Sequence, residues 1–418
     1  VVFMEGVLGA AALAVYSLAG VLEYRRLCRT LERVPVRILV NGTRGKSSVT
    51  RLIAAGLRAG GMRVLAKTTG SAARLILPDG SEEAIRRKGQ ATIMEHAALA
   101  RRAAREGAQA LVAECMAVQP ETTAVLTERL ARPTIGVITN VRQDHDDTMG
   151  KSLEEVARVL SLSIPWAGDL FMGEEADGIR AILEHEAERR RTRIHVIKAI
   201  AEDDEICRQF AYPMFPENIA LARAVCSLCG VGWSAAGEGM LGSSPDPGVL
   251  PVLDIEWKGM AIRVINAFAA NESASTAMLW DRYHRAGGNG EGALSVVVYG
   301  HRTDRAWRAQ ALPAIAEHAG AMLVVSNALP LAVRRMLKKR GIPGSVCVLP
   351  KPDAQALLEL VYGAHTTAGN AAVGIGDMGM GDGGLSAAFN ILCIGNIKGW
   401  GEALSASFMK LVKQGKEL

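Results

Sequence analysis

The feature that most constrains this chain is a short apolar run that breaks into a glycine-rich loop and then into a helix. Val36-Arg37-Ile38-Leu39-Val40 reads as a buried strand, Asn41-Gly42-Thr43-Arg44-Gly45-Lys46-Ser47-Ser48 follows, and a helical pattern continues to Gly60-Gly61. Glycines at such a turn let backbone N–H groups close around phosphate oxygens, and the helix N-terminus adds a favourable dipole. In that setting Lys46 can reach the β- and γ-phosphates of a nucleotide, and the Ser47 hydroxyl can ligate Mg²⁺. The spacing departs from the general GxxxxGK[ST] pattern, because Val40 stands where its first glycine would be. The preceding strand, the following helix and the glycines at 42 and 45 still mark a nucleotide phosphate site.

An α/β rhythm surrounds this loop. Strand candidates are Ala110 to Ala113, Thr134 to Val141, Asp169 to Met172 and Ile194 to Lys198, with helical patterns between several of them, notably Ile93 to Glu106. Alternation of this kind predicts a mostly parallel sheet with helices on both faces. Gly237 to Gly248, GEGMLGSSPDPG, is the clearest breaker cluster and the expected hinge region. Beyond it, Val252 to Trp257 and Ala261 to Phe268 read as a hairpin, and Leu294 to Tyr299, Ala321 to Ser326, Ser345 to Leu349 and Ala371 to Ile375 as further strands. The expected organisation is an N-terminal membrane anchor 1–30, an ATP-binding α/β domain 31–250, and a smaller Rossmann-like α/β domain 251–418.

Composition narrows the class. With 418 residues, 49% hydrophobic and 22% charged, the chain can bury real cores and is neither disordered nor polytopic. A net charge of +5, without a basic stripe interleaved with aromatics, does not call for nucleic acid. The seven scattered cysteines fit a reducing compartment better than a disulfide framework. Cys226 and Cys229 form a CxxC in an apolar stretch, which reads as core packing rather than zinc. Gly6 to Leu22 is an uncharged run of 17 residues followed by Arg25, Arg26, Arg29 and Arg33. That pattern predicts a single membrane-spanning helix with everything after it on the cytoplasmic side; the alternative is a buried, Ala-rich helix of a soluble domain.

Two further clusters lie at strand ends. Leu111-Val112-Ala113-Glu114-Cys115 ends a strand on a carboxylate, and Thr139-Asn140-Val141-Arg142-Gln143-Asp144-His145-Asp146-Asp147 follows another. Ligands of open α/β sheets bind at the carboxyl ends of strands, so Lys46, Glu114 and His145 are expected to converge. A carboxylate and a neutral imidazole beside a triphosphate suit hard cations. Read singly, Asp144 is an N-cap and His145 a surface histidine; three clusters at successive strand ends favour the site.

The order GTxGKS, a strand-end Glu, then TNxxxDHxD resembles the Mur ligase and folylpolyglutamate synthetase superfamily, and within it the membrane-associated poly-γ-glutamate synthase branch. VNGTRGKSSVTRLI, VAECMAVQPE, TNVRQDHDDTMG with SLEEVA, INAFAANES and GNIKGWG carry the similarity, from about residue 34 onward. The resemblance implies Gly42, Thr43, Gly45, Lys46 and Ser47 around the ATP phosphates, Glu114 and His145 as ligands of Mg²⁺ (two ions), Asn218 at the adenine, and Arg302 and Asp304 toward the nucleotide. It also implies an ADP-producing ligase joining glutamate to a growing poly-γ-glutamate chain through an acyl phosphate, in company with other membrane subunits.

Two departures stand against that pattern. The place of the lysine that is carbamylated in Mur ligases holds Leu160, with Lys151 too early to match. The DDYAHNP-like motif reads Asn266-Ala267-Phe268-Ala269-Ala270-Asn271-Glu272, leaving Asn271 as the polar candidate for the acceptor. A folylpolyglutamate-synthetase-like ligase on another acceptor and a non-ligating ATP-driven subunit remain open alternatives. Arg86, Arg87 and Lys88 form a basic run that could steer an acidic polymer or simply face solvent.

Overall fold

The structure is a computed structural model, and the described residues are 2–69, 73–87, 89, 91–143, 148–173, 175–246, 252–268, 276–277, 279–280, 295–301, 322–327, 330–339, 344–371, 389–395 and 397–415. They form two compact units. The first comprises Val1–Phe210 and Met214–Asp246, the second Ala211–Pro213 and Pro247–Leu418.

The first unit is built on an eight-stranded sheet of β1 (Val36–Asn41), β2 (Val64–Thr68), β3 (Arg74–Ile76), β4 (Glu82–Ala84), β5 (Ala110–Glu114), β6 (Ile135–Ile138), β7 (Asp169–Gly173) and β8 (Arg193–Ile197). Its order is β4-β3-β2-β5-β1-β6-β7-β8, parallel except for the antiparallel pairings of β2 with β3 and β3 with β4. Strands β2, β5, β6 and β7 are buried along their whole length, the pattern of a sheet covered on both faces. The chain leaves β1 toward one side of the sheet and later continues from β6 on the other. A crevice therefore opens at the carboxyl end of β1, flanked by the ends of β5 and β6.

The second unit has a six-stranded sheet of β9 (Leu253–Trp257), β10 (Met260–Asn266), β11 (Ser295–Gly300), β12 (Met322–Ser326), β13 (Gly344–Val348) and β14 (Phe389–Gly395), in the order β13-β12-β11-β14-β10-β9. Only β9 runs antiparallel to its neighbour, as the expected hairpin through Lys258-Gly259 requires. The run FNILCIG of β14 was not singled out from sequence, yet it occupies the middle of the sheet between β11 and β10. The strand expected over Ala371 to Ile375 is not formed at its start, since Ala371 closes the helix Ala354–Ala371; residues 372–375 lie outside the described residues.

Helix α1 (Val2–Glu32) leads into the first unit, α2 (Lys46–Ala59) follows the loop after β1, and α3 (Glu95–Arg105) precedes β5. The expectation of a membrane-spanning anchor is corrected here: among the described residues no helix is long and apolar enough to cross a membrane. Gly6 to Leu22 contains five alanines and three glycines, which contribute little apolar area for transfer into hydrocarbon. At its other end α1 packs into the unit, with Leu27 and Leu31 buried against Leu39, Ala97, Ala100, Leu126 and Leu130. The single-pass placement with a cytoplasmic catalytic part, which rested on that span, falls with it.

Helix α2 is buried from Val49 through Leu57. It is approached closely by the helices Pro216–Leu228 and Trp233–Leu241, and glycines make the approach possible. A Cβ on Gly56 would stand 2.7 Å from the Cys226 sulfur, and one on Gly239 would stand 2.5 Å from the Ala55 carbonyl oxygen. Part of the glycine-rich segment read as a hinge is thus a helix whose glycines serve contact, and Cys226 of the CxxC is core packing against α2. Gly239→Ala should destabilise the protein by about 1–3 kcal/mol through overpacking. Gly178→Ala, in the helix Asp177–Arg189 with open space around its Cα, should stabilise it by up to about 1 kcal/mol. Thermal denaturation of the two variants should move in opposite directions.

Candidate phosphate and metal site

The loop after β1 is tied to the end of β6. The Asn140 side chain accepts from the Thr43 hydroxyl (2.8 Å) and the Arg44 N–H (3.1 Å) and donates to the Arg44 carbonyl (3.1 Å). The Thr43 N–H donates to the Asn140 carbonyl at 3.1 Å, and the Thr139 hydroxyl donates to the Arg44 carbonyl. Gly42 has φ +126°, and a Cβ there would lie 2.1 Å from the Thr139 hydroxyl oxygen. Only glycine permits both that conformation and that contact. Gly45, at φ +81°, hands the chain into α2 with its carbonyl accepting from the Val49 N–H at 2.9 Å.

Lys46 is the first residue of α2, and its ammonium donates to the carbonyls of Gly42 (2.6 Å) and Thr43 (3.3 Å), which holds its charge at the loop. Glu114 ends β5 directly beside Val40 of β1. Its Oε2 accepts from the Ser47 hydroxyl at 2.9 Å and from the Thr69 N–H at 2.6 Å. A hydroxyl and a carboxylate in contact supply hard oxygen donors of the kind magnesium takes. Asn218, buried at the start of the helix Pro216–Leu228, lies against the loop: a Cβ on Gly45 would come within 2.6 Å of its Oδ1.

The structure thus brings Gly42, Thr43, Gly45, Lys46, Ser47, Glu114 and Asn218 together. His145, Asn271, Arg302 and Asp304 lie outside the described residues. The backbone entering the histidine segment is held by Glu175, whose carboxylate accepts from the Val141 N–H (2.9 Å) and from Arg142 (3.2 Å). Leu160, set by the resemblance at the place of the Mur-ligase lysine, is buried in the apolar cluster with Val156, Ile164 and Leu183. It offers no metal support.

Several participants escape sequence reasoning. Asn140 sits in a segment recognised for its acidic and histidine residues, and its loop-tying role has no spacing signature. Arg51, one turn beyond Ser47 and buried, binds Asp246 (Nε to Oδ1, 3.1 Å) and Glu82. Asp246 also faces Ser47 and the Glu114 carboxylate; burial pushes its carboxyl above the usual range, and the Glu114 charge adds to this against the pull of Arg51. Two carboxylates from positions 132 residues apart in sequence therefore flank the loop serine, an arrangement no local pattern reveals.

Beside the loop is a cavity of about 260 Å³ lined by Gly42, Thr43, Lys46, Arg87, Met116 and Met149, among others. Arg87 is held by two hydrogen bonds to Glu95 (2.7 and 3.0 Å), and the same carboxylate accepts from the buried Lys67 at 2.6 Å. Burial opposes the charge on Glu95, but the bonds from Arg87 and Lys67 outweigh it and hold its carboxyl down at about 2. The neighbouring His96 is fully buried, and this, with the Lys67 charge, pushes its pKa down to about 3.

Residues 40–164 match the Mur ligase middle domain, and residues 252–411 match the poly-gamma-glutamate synthase CapB C-terminal domain. The chain is 36% identical over 301 residues to the PGA synthase CapB of Bacillus subtilis, covering 72% of this chain and 76% of that protein. It is 35% identical over 295 residues to the capsule biosynthesis protein CapB of Bacillus anthracis, covering 70% of this chain and 62% of that one. Among solved structures, E. coli FolC in complex with ADP superposes with a TM-score of 0.61 at 15% identity, over 94% of this chain and 93% of that chain. A bifunctional folylpolyglutamate synthase/dihydrofolate synthase from Yersinia pestis, complexed with AMPPNP and a Mn ion, gives 0.57 at 13% identity, over 93% and 92%. At those identities the structural likeness speaks for the fold, a Mur ligase and folylpolyglutamate synthase type of α/β architecture. The sequence likeness decides the family: this chain belongs to the CapB family of poly-γ-glutamate synthases.

Proposed function

We propose that this chain is an ATP-dependent amide ligase that extends poly-γ-glutamate, activating the terminal carboxylate of the growing chain for attack by the amine of glutamate. The observation that carries this reading is the meeting of Lys46, Ser47 and Glu114 at a glycine-built loop, in a chain of this family. The relatives are named for PGA synthesis and capsule biosynthesis, and the related folds hold ADP or AMPPNP with Mn.

A carboxylate is a poor electrophile, and amide formation in water is uphill. In the proposed reaction a donor carboxylate oxygen bonds to the γ-phosphorus of ATP while the bond to the β–γ bridging oxygen breaks, releasing ADP. The glutamate amine then adds to the acyl carbon, loses a proton, and phosphate departs. Lys46 would offset charge on the transferring phosphoryl group, and the loop N–H groups would fix its position. Ser47 and Glu114, with His145, would hold magnesium, two ions in our reading; bound there, the metal would neutralise phosphate charge. Asn218, seated against Gly45, is our candidate for the adenine. By the resemblance, Arg302 and Asp304 are our candidates for further nucleotide contacts, and Asn271 for the acceptor. Release of a long polymer calls for further subunits of a synthase assembly.

Three outcomes are expected with ATP and labelled glutamate. Lys46→Ala should lower polymer formation by about 100-fold or more, the scale of losing a group that stabilises developing charge. Normal polymer formation by that variant would refute the reading. Glu114→Gln should likewise lose activity and raise the magnesium concentration required. Asn140→Ala, which loses three loop hydrogen bonds, should raise KM for ATP by about tenfold while leaving the fold intact by circular dichroism.

A further inference from the structure

Among the described residues, the cations beside the phosphate-loop cavity outnumber the acids that pair with them. Two cations, Lys67 and Arg87, share the single carboxylate of Glu95, and among the described residues neither has another acidic partner. Lys67 is only 3% exposed, and Arg87 is 25% exposed where it lines the cavity. The adjacent His96 stays neutral and does not change the sum. The acids of the nearby hairpin are engaged elsewhere, Glu82 by Arg51 and Glu83 by Arg102 at 2.7 Å. A half-buried cluster with one cation in excess is completed by an anion, and a guanidinium already fixed through a forked contact is preorganised to receive a carboxylate. Lys46 lies on the same cavity, at the place proposed for phosphoryl transfer.

We propose that Arg87, braced by Glu95 and Lys67, binds the α-carboxylate of the donor chain's terminal glutamate and so directs the γ-carboxylate toward Lys46. This rests on the ligase reading above. A terminal glutamate presents two carboxylates of similar reactivity, and only one gives a γ-linked product. Holding the α-carboxylate at a cationic subsite leaves the other, three carbons away, to meet the phosphoryl group. The cavity of about 260 Å³ accommodates a unit of that size next to the loop. Arg87 is thereby a specificity-determining residue, and Glu95 and Lys67 are positioning residues that act through it.

The test compares two donors, a γ-linked glutamate trimer and the same trimer with its terminal α-carboxylate converted to the amide, on wild-type protein, Arg87→Ala and Arg87→Lys. Wild-type protein should use the amide donor at least tenfold less efficiently in kcat/KM, a factor set by the loss of a hydrogen-bonded ion pair. Arg87→Ala should raise KM for the native trimer at least tenfold, leave KM for ATP unchanged, and no longer distinguish the two donors. Arg87→Lys, which keeps the charge without the fork, should retain part of the discrimination and serves the same comparison if the alanine variant does not fold. Equal use of both donors by wild-type protein, or full discrimination by both variants, overturns the subsite and leaves the ligase reading in place. Failure of wild-type protein to form a γ-glutamyl bond with either donor, while Lys46→Ala abolishes ATP turnover, refutes the ligase reading itself.

Discussion

The Asn140 amide is the interaction on which the site depends. It joins the end of β6 to the loop after β1 through bonds to Thr43 and Arg44, on both sides of the backbone that must surround an anion. Such a loop has few internal bonds of its own, and its glycines make it entropically costly to order. A side-chain amide that donates once and accepts twice supplies what a regular turn would have supplied. The sheet order makes this possible, because β1 lies between β5 and β6 and all three strand ends emerge at one place.

Behind the loop, α2 acts as a buried rod. Its packing against the helices Pro216–Leu228 and Trp233–Leu241 is close enough that Gly56 and Gly239 bring helix surfaces nearly into backbone contact. On the same helix, Arg51 gathers Asp246 and Glu82 and keeps the Asp246 carboxylate, which faces Ser47, from standing uncompensated. Fixed helix position and balanced charge both reach the same hydroxyl, and Ser47 and Glu114 come to lie 2.9 Å apart.

Much of this is legible in the sequence. The strand–loop–helix at 36–60 and the carboxylate at 114 are local patterns, and the parallel rhythm follows from period alone. Residues whose roles arise across distance were not legible: Asp246 reaches Ser47 only after the chain has folded, and Asn140 resembles any strand-end polar residue. Gly237 and Gly239 were misread as breakers, because composition does not distinguish a glycine that frees the backbone from one that lets two helices touch. β14 escapes the sequence reading because it sits far along the chain from the strands it joins. The N-terminal run misled for a related reason: absence of charge is not the same as apolar area when alanine and glycine fill so many places.

The sharing of Glu95 between Lys67 and Arg87 bears on how such a chain can drift. These three residues come from β2, the segment after β4, and α3, so no single local rearrangement replaces them. Losing the acid alone would strand two like charges in a half-buried place, whereas losing one base leaves a tolerable pair. Substitutions in descendants of this sequence should therefore arise in a fixed order, with Lys67 yielding before Arg87 and the carboxylate last, and lineages that abandon the acid should have neutralised both bases beforehand.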